Sequence, residues 1–333
     1  SGAGDVNGDG LADLVVTSKV DAGRSYVVFG RSATATVDLN AVAAGSGGFA
    51  IHGQAGGDGS GWSVSGAGDV NGDGLADLVV GAPGGDTAAG ADAGRSYVVF
   101  GRSGTAAVSL AAVAAGEGGG FAINGQCAGE LSGWSVSSAG DVNGDGLTDL
   151  ILGAPNGDTA AGTHAGRTYV VFGRGDAAAV ELSAVAQDQG GFVIEGQCAG
   201  EGSGWSVSGA GDLNGDGLAD LIAGTHVVFG STVGLFYNTL VDQLGTAGAD
   251  ALSDGGTAQT LVAGAGDDLL TATAASVLHG GAGNDRFAVG AAMVEALQSP
   301  LGSGGNLDRL ARVDGGTGLD TIALSGAGLT LDL

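Results

Sequence analysis

Four acidic loops in this sequence carry oxygen-bearing side chains at a spacing suited to binding a metal ion. The phrase Gly-Asp-Val-Asn-Gly-Asp-Gly-Leu recurs, once with Leu in place of Val, and a further Asp follows two residues after its final Leu. Oxygen side chains therefore stand at loop positions 1, 3, 5 and 9. Calcium takes about six to eight oxygen ligands, mostly carboxylates and carbonyls. The spacing predicts a calcium site in each loop.

The predicted ligands are these side chains together with the backbone carbonyl of the Leu at position 7. Alternate residues of a tight loop turn inward, and the intervening Gly residues free the backbone to make that turn. Asp-Gly and Asn-Gly pairs also form ordinary turns, but the closing Asp recurs in every loop. Magnesium fits less well because it dehydrates reluctantly. The four predicted ligand sets are Asp5, Asn7, Asp9, Leu11 and Asp13; Asp69, Asn71, Asp73, Leu75 and Asp77; Asp141, Asn143, Asp145, Leu147 and Asp149; and Asp212, Asn214, Asp216, Leu218 and Asp220.

The loops belong to a repeat with a period of about 71 residues. Their first Asp residues are separated by 64, 72 and 71 positions, and such self-similarity is typical of repeat architectures. Each full period contains four short runs rich in Val, Ile, Phe and Tyr and bounded by Gly. In the second period they are residues 61–65, 78–83, 96–101 and 121–125. Four antiparallel strands per repeat predict the blade of a β-propeller, and hence an all-β protein.

Two further phrases carry a resemblance to a known family. Phe-Gly ends the third run of each repeat, and Gly-Ala-Pro stands at residues 81–83 and 153–155. With the acidic loop between them, the pattern resembles the FG-GAP repeat of integrin α-subunit propellers and bacterial surface proteins, over roughly the first 230 residues. The resemblance implies a calcium site in the hairpin between the first two strands of each blade. Repeat 1 lacks Gly-Ala-Pro, and repeat 4 is shortened before Phe229.

The pattern changes after residue 241, where apolar residues recur about every nine positions. Four Asp residues precede them by two positions: Asp250, Asp268, Asp285 and Asp320. Residues 280–287 and 315–322 fit Gly-Gly-x-Gly-x-Asp-x-apolar fully, which resembles the RTX nonapeptide repeat. That resemblance implies a short parallel β-roll binding calcium between its turns, although a Gly-rich linker remains an alternative. We also predict a short helix over residues 291–297.

The sequence thus predicts propeller repeats over residues 1–235 and the calcium-binding roll over residues 236–333. The two cysteines stand at equivalent positions of the repeat, so a disulfide between them is not expected. RTX tails mark bacterial proteins exported by type I secretion, which implies an extracellular or cell-surface location.

Composition excludes several functions. The net charge is −26, with 36 acidic residues against 10 Lys and Arg, whereas nucleic acids and anionic membranes require a basic face. No apolar run is long enough to span a bilayer, and no catalytic set of side chains is recognisable, so we expect no enzyme.

Three functions remain open from the sequence. The first is a calcium-rigidified adhesion protein that binds a protein or glycan. The second is a structural subunit that binds copies of itself in a filament or surface layer. The third is an accessory region of a secreted hydrolase.

Overall fold

The computed structural model describes residues 1–18, 22–32, 36–214, 217–231, 238–240, 243–246, 248–297 and 311–326. Within these residues the chain consists mainly of β-strands with short helices, which confirms the predicted all-β class. The chain divides into two compact units. The first comprises residues 1–210, 221–224 and 230–235, and the second comprises residues 211–220, 225–229 and 236–333.

Four sheets correspond to the four repeats, and neighbouring strands are given in their order across each sheet. The first contains β1 (Gly2–Gly4), β2 (Asp13–Ser18), β3 (Arg24–Val28), β4 (Gly48–His52) and β8 (Val108–Ser109). The second contains β5 (Ser63–Gly68), β6 (Asp77–Ala82), β7 (Arg95–Val99), β9 (Gly120–Asn124) and β13 (Val180–Glu181). The third contains β10 (Ser135–Gly140), β11 (Asp149–Ala154), β12 (Arg167–Val171) and β14 (Gly191–Glu195). The fourth contains β15 (Val207–Gly211), β16 (Asp220–Ala223), β17 (His226–Val228) and β18 (Asn238–Leu240).

The first three sheets are propeller-like blades of four antiparallel strands, as predicted. β8 and β13 are additional strands that the sequence did not predict. Each comes from the following repeat and pairs in parallel with the last strand of the preceding blade, Val108 opposite Ile51 and Val180 opposite Ile123. Successive repeats are therefore joined by backbone pairing as well as by side chains.

Three short helices, also not predicted, lie between the third and fourth strands of the first three repeats. They are α1 (Leu39–Ala43), α2 (Leu110–Ala114) and α3 (Leu182–Val185). Each buries apolar side chains, Val42 in α1 and a Leu–Val pair in the other two. Helices of only four or five residues leave too short a periodicity to be recognised in the sequence.

A β-bulge ends the first strand of each of the first three blades directly before the acidic loop. The register shifts at Gly4, Gly68 and Gly140, and these residues have φ angles of 75°, 72° and 76°. Only Gly adopts such angles without strain. The bulge bends the chain out of the sheet and so orients the loop.

The hydrophobic core lies between consecutive blades. One cluster combines Phe49 and Ile51 of the first blade with Leu78 and Tyr97 of the second. The next combines residues such as Phe121 with Leu150 and Tyr169 of the third. Each repeat therefore buries its apolar face only against its neighbour, as expected for a repeat fold.

The tail forms two parallel sheets whose strands alternate along the chain, in agreement with the predicted β-roll. One contains β19 (Gln243–Leu244), β21 (Thr260–Ala265), β23 (Val277–Ala282) and β25 (Arg312–Thr317), and the other β20 (Ala251–Ser253), β22 (Leu269–Ala272), β24 (Arg286–Val289) and β26 (Thr321–Leu324). A helix, α4 (Ala291–Leu297), lies where it was predicted. The periodic apolar residues form the core of this region, with Leu261, Leu270, Leu278 and Phe287 almost fully buried.

Candidate metal centres

The first Asp of each loop organises the turn that follows it. In the second loop the Asp69 carboxylate accepts hydrogen bonds from the backbone N–H groups of Gly72, Asp73 and Gly74, at 2.7, 3.1 and 2.8 Å. The same three bonds recur in the first and third loops. This position therefore folds the backbone around its own carboxylate.

Positions 3 and 5 form a second recurring arrangement within the loop. Asn71 accepts from the backbone N–H of Asp73 through Oδ1 at 2.9 Å and donates from Nδ2 to Oδ2 of Asp73 at 3.0 Å. Asp73 Oδ1 accepts from the backbone N–H of Leu75 at 2.9 Å. Equivalent bonds occur in the first and third loops. Oxygen-bearing side chains are thus concentrated on the exposed part of a tight turn.

The Asp at position 9 lies buried beneath the loop and joins it to the Phe-Gly phrase. Asp77 accepts from the N–H groups of Val70 and Gly101, both at 2.8 Å. Asp13 and Asp149 repeat this pair of bonds with the first and third loops and with Gly30 and Gly173. The sequence pattern indicated this Asp only as a ligand and gave no sign of its contact with the Phe-Gly glycine.

Burial changes the protonation of these closing carboxyls. It raises the pKa of Asp77 to about 6 and that of Asp149 to about 7, with a smaller contribution from the loop carboxylates nearby. Burial likewise raises the pKa of Asp13. Among the described residues, no Lys, Arg or His forms an ion pair with a carboxylate of the first three loops. A cation would offset both the desolvation and the mutual repulsion.

The donor set of the loops has the chemistry that calcium requires. Each of the first three holds a half-buried carboxylate at position 1, an amide oxygen at position 3, an exposed carboxylate at position 5 and a buried carboxylate at position 9. A carboxylate oxygen that accepts one hydrogen bond retains capacity for a metal. The described residues nevertheless include no group of three His, Cys, Asp or Glu side chains close enough together to hold a metal ion. The residues fit calcium by type and spacing, and binding would require their carboxylates to converge further.

The Leu residues at position 7 connect neighbouring loops. Leu75 of the second loop lies against Gly8 of the first, where an added Cβ would be 3.0 Å from a Leu75 methyl. Leu147 of the third loop lies against Gly72 of the second in the same way, at 3.1 Å. The corresponding Leu11 of the first loop is exposed. Backbone bonds follow the same pattern, because Ala76 N–H donates to the carbonyl of Asp5 at 3.0 Å. The loops of successive repeats are therefore in direct contact.

The fourth loop lies in the second unit and is described only in part. Asp220 is buried and accepts from the N–H of Leu213 at 2.7 Å, and Asp212 accepts from Gly217 at 2.9 Å. Asn214 is buried and Leu218 is half-buried. Asp216, the predicted ligand at position 5, lies outside the described residues.

The four tail Asp residues are brought together in one ladder. Asp268 Oδ1 accepts from the N–H of Asp250 at 2.7 Å, Asp285 Oδ1 from the N–H of Asp268 at 2.9 Å, and Asp320 Oδ1 from the N–H of Asp285 at 2.9 Å. Three of the four carboxylates, those of Asp268, Asp285 and Asp320, thus bridge to the preceding turn of the roll. The sequence predicted the members of this set but not their mutual bonds.

Two oxygens of this ladder are buried without a hydrogen-bond partner among the described residues, Oδ2 of Asp268 and Oδ2 of Asp285. Burial raises the pKa of both carboxyls, and neighbouring carboxylates raise it further. Glycine makes room for these side chains, since a Cβ on Gly280 would lie 2.2 Å from Oδ2 of Asp285. Orphaned acceptors are costly in an interior, so this donor set also fits a cation.

The Trp and Ser residues of the repeated strand lie between blades. The Trp134 ring packs at 4.8 Å from Trp62 and at 4.9 Å from Trp205, measured between centroids. The hydroxyl of Ser63 accepts from the N–H of Val136, and that of Ser135 from Val207, both at 3.1 Å. These residues align the first strands of successive repeats.

A set of contacts that sequence reasoning missed involves the Gly-Gln phrase before each Trp. Gln54 accepts from the Tyr97 hydroxyl at 2.6 Å and from Nη1 of Arg95 at 2.8 Å. Gln126 accepts from the Tyr169 hydroxyl at 2.7 Å. The recurrence of Gly-Gln in three repeats is the sequence feature that could have indicated these contacts.

The cysteines of the later phrases, Cys127 and Cys198, are exposed free thiols.

Comparison with known families agrees with this architecture. The sequence profile of the FG-GAP repeat matches four segments, residues 1–28, 60–99, 132–171 and 203–233. Each segment includes one acidic loop. The matched segments do not include the tail, for which the RTX resemblance stays a prediction.

No helix among the described residues has the length and apolar character needed to cross a membrane.

Curated relatives are enzymes much longer than this chain. Phosphatidylinositol-glycan-specific phospholipase D from Bos taurus is 33% identical over 168 residues, which is 50% of this chain and 18% of the enzyme. The Homo sapiens protein of that name is 33% identical over 173 residues, again 50% and 18%. The Mus musculus protein is 36% identical over 114 residues, 34% of this chain and 13% of the enzyme. The chain therefore spans less than a fifth of these relatives.

Proposed function

Because the chain is built around FG-GAP repeats, we propose that it is a calcium-binding extracellular surface protein whose blades bind a partner without catalysis. FG-GAP repeats indicate a surface or extracellular repeat protein. The observation that carries the calcium proposal is the same hydrogen-bonded arrangement of Asp, Asn and Asp in three loops, each above a buried Asp.

The loop residues would act by holding the ion and thereby fixing the edge of each blade. Asp69, Asn71 and Asp73 would supply side-chain oxygens, and Leu75 would supply a backbone carbonyl. Asp77 would extend the effect inward, because its carboxylate also accepts a hydrogen bond from the N–H of Gly101, two residues after the third strand. Calcium supplies the positive charge that these carboxylates lack, and so favours the folded arrangement by mass action.

The tail carboxylates would act in the same way along the β-roll. Asp250, Asp268, Asp285 and Asp320 join four successive turns, and two of their oxygens are buried without partners among the described residues. A roll of this kind supports export through bacterial type I secretion, followed by folding in calcium-rich surroundings. The partner of the blades would be a protein or glycan on a surface.

A second candidate function is favoured by the relatives. They are named as phospholipases D specific for phosphatidylinositol glycan, and the chain matches a small part of each. Under this alternative the repeats form an accessory region of a secreted hydrolase, and the catalytic groups lie outside this sequence. Lipase activity of the isolated chain would contradict both proposals.

Thermal unfolding tests the calcium proposal. We expect a large rise in melting temperature on adding millimolar calcium after chelation, with a smaller effect of magnesium at equal ionic strength. A free calcium concentration of 100 times the Kd would stabilise the folded chain by about 2.7 kcal/mol for each site. An unchanged transition in chelator and in calcium would overturn the proposal.

A matched pair of variants separates a ligand effect from a charge effect. Asp73→Asn removes one carboxylate from the second loop, whereas Glu117→Gln removes an exposed carboxylate outside the loops. We expect the first to weaken the calcium-induced shift and to lower the number of bound ions measured by titration calorimetry. The second should leave both unchanged.

A further inference from the structure

The β-roll has two edges at which the chain crosses between its two sheets, and carboxylates occupy both. One edge, which we name the aspartate edge, consists of the turns that end at Asp250, Asp268, Asp285 and Asp320. The other edge includes residues 254–259, between β20 and β21, and residues 273–276, between β22 and β23. We name it the Asp254 edge. The carboxylates of the two edges have opposite surroundings.

The carboxylate of Asp254 is surrounded by hydrogen-bond donors of the protein. Its Oδ2 accepts from the N–H groups of Thr273 and Ala274, both at 2.8 Å, and from the Ser276 hydroxyl at 2.9 Å. Its Oδ1 accepts from the N–H of Gly256 at 3.0 Å and from the Thr273 hydroxyl at 3.2 Å. Asp254 is only 1% exposed. A buried carboxylate that accepts several such bonds is stable as an anion without a cation beside it.

The bonds of Asp254 join successive turns of the roll. The carboxylate lies in one turn, and four of its five hydrogen bonds come from the next turn. Ser276 extends the connection, because its hydroxyl accepts from the N–H of Gln259 at 3.2 Å and its own N–H donates to the sulfur of Met293 in α4 at 3.3 Å. Ser276 and Met293 are fully buried. The Asp254 edge thus connects two turns and α4 through groups of the protein itself.

The aspartate edge lacks such donors. Each bond of its ladder brings one N–H to one carboxylate, and Oδ2 of Asp268 and Oδ2 of Asp285 are buried without a partner among the described residues. No Lys, Arg or His in the described part of the chain forms an ion pair with its carboxylates. Burial raises the pKa of Asp268 and of Asp285. Burial acts in the same direction on Asp254, but there the hydrogen bonds outweigh it and hold the pKa below its ordinary value.

We propose that the Asp254 edge holds the roll together without calcium, and that calcium closes only the aspartate edge. When calcium is removed, like charges face one another along the aspartate edge and that edge opens, whereas the turns of the Asp254 edge stay joined. Calcium then binds to turns that are already aligned, which reduces the ordering that binding requires. The inference rests on the calcium proposal for the aspartate edge, and it adds that the roll keeps one folded edge in chelator.

Amide hydrogen exchange of the full chain, resolved residue by residue with nuclear magnetic resonance, tests both edges at once. The N–H groups of Asp250, Asp268 and Asp285 report on the aspartate edge, and those of Thr273 and Ala274 report on the Asp254 edge. Calcium is replaced by excess chelator at constant ionic strength. We expect exchange to become at least about tenfold faster in the first group and to change by less than about threefold in the second.

The inference and the calcium proposal fail differently in this measurement. If both groups lose protection together in chelator, the Asp254 edge depends on calcium, so the inference is wrong while the calcium proposal stands. If neither group responds to chelator, calcium does not act on the roll, and the inference and the calcium proposal for the tail are both wrong. Loss of protection at Thr273 and Ala274 alone would also overturn the inference.

The variant Asp254→Asn probes the edge in a second way. The amide has nearly the shape of the carboxylate, but its NH₂ group would face N–H donors, so bonds of the edge are lost. Asp254 is not among the proposed calcium ligands. The calcium concentration that protects the amides of Asp268 and Asp285 should nevertheless rise by about tenfold or more, because fewer chains hold the turns aligned. Glu117→Gln, which removes an exposed carboxylate outside the roll, should leave that concentration unchanged.

An unchanged calcium requirement in Asp254→Asn would overturn the inference. Thermal unfolding in calcium checks that the variant is folded. Should it fail to fold, Ser276→Ala takes its place, since this change removes a single donor to Asp254. It should shift the calcium requirement in the same direction, and no shift would again contradict the role of the Asp254 edge.

Discussion

The buried Asp at position 9 connects two parts of the repeat that are distant in the sequence. One carboxylate oxygen accepts a hydrogen bond from the N–H of the loop residue seven positions before, and the other accepts from the N–H of the Phe-Gly glycine. In the second repeat, Asp77 accepts in this way from Val70 and Gly101. Glycine is required there because a Cβ on Gly101 would lie 2.5 Å from the Leu75 Cβ and 2.8 Å from the Ala76 carbonyl oxygen. The loop and the Phe-Gly phrase therefore form one structural unit.

Substitution at the Phe-Gly glycine should consequently destabilise the blade. We expect Gly101→Ala to lower the free energy of unfolding by about 1–3 kcal/mol, the usual cost of forcing an extra carbon into packed surroundings. Gly104→Ala is the control, since its Cβ would meet only the Arg102 side chain at 3.7 Å or more. Urea unfolding measures both, and equal effects would contradict the assigned contact.

The buried carboxyl of Glu130 should make stability depend on pH. Burial raises the pKa of Glu130 in the folded chain above the ordinary value of 4.5. At a pH between the ordinary pKa and the raised one, the folded chain therefore binds more protons than the unfolded chain. Stability therefore falls as pH rises through that interval. Glu130→Gln removes this titration, and its stability relative to the unaltered chain should increase from about pH 4 toward neutrality. The exposed Glu117→Gln should show no such trend in urea unfolding at fixed calcium.

At the scale of elements, the sequence predicted those strands and helices that a local residue pattern specifies. The strands of each blade, the parallel roll and α4 follow from short apolar runs, nine-residue periodicity and a seven-residue apolar segment. The helices α1 to α3 are too short for a periodic signal. β8 and β13 consist of two residues each, and their pairing depends on the preceding repeat. The contacts of Gln54 and Gln126 with the next repeat likewise form only once repeats are adjacent.

Register in the β-roll gives an element-scale prediction. Leu270 of β22 is fully buried, whereas the adjacent Leu269 is 40% exposed, because successive side chains of a strand point to opposite faces. Leu270→Ala should lower the free energy of unfolding by about 2–5 kcal/mol, and Leu269→Ala by much less. Similar losses for the two variants, measured by urea unfolding, would indicate a different register.

For the whole molecule, charge is the dominant feature. A net charge of −26 makes the folded chain repel itself, and the four acidic loops concentrate that charge. Without calcium, adding tetramethylammonium chloride should raise the melting temperature, since the Debye length shortens to about 10 Å at about 0.1 M salt. With calcium bound, part of the charge is already neutralised, so the same salt should have a smaller effect. Equal salt effects in both states would contradict this account.

The packed indoles described between the blades also have an optical consequence. Trp62, Trp134 and Trp205 are the three Trp residues of the chain, and their centroids lie 4.8 and 4.9 Å apart in sequence order. Chromophores this close exchange excitation, which splits their ultraviolet transitions and gives a paired positive and negative band in circular dichroism. Fluorescence and dichroism of the unlabelled protein therefore report the alignment of repeats two to four. The β-roll, without a Trp residue of its own, contributes nothing to that signal.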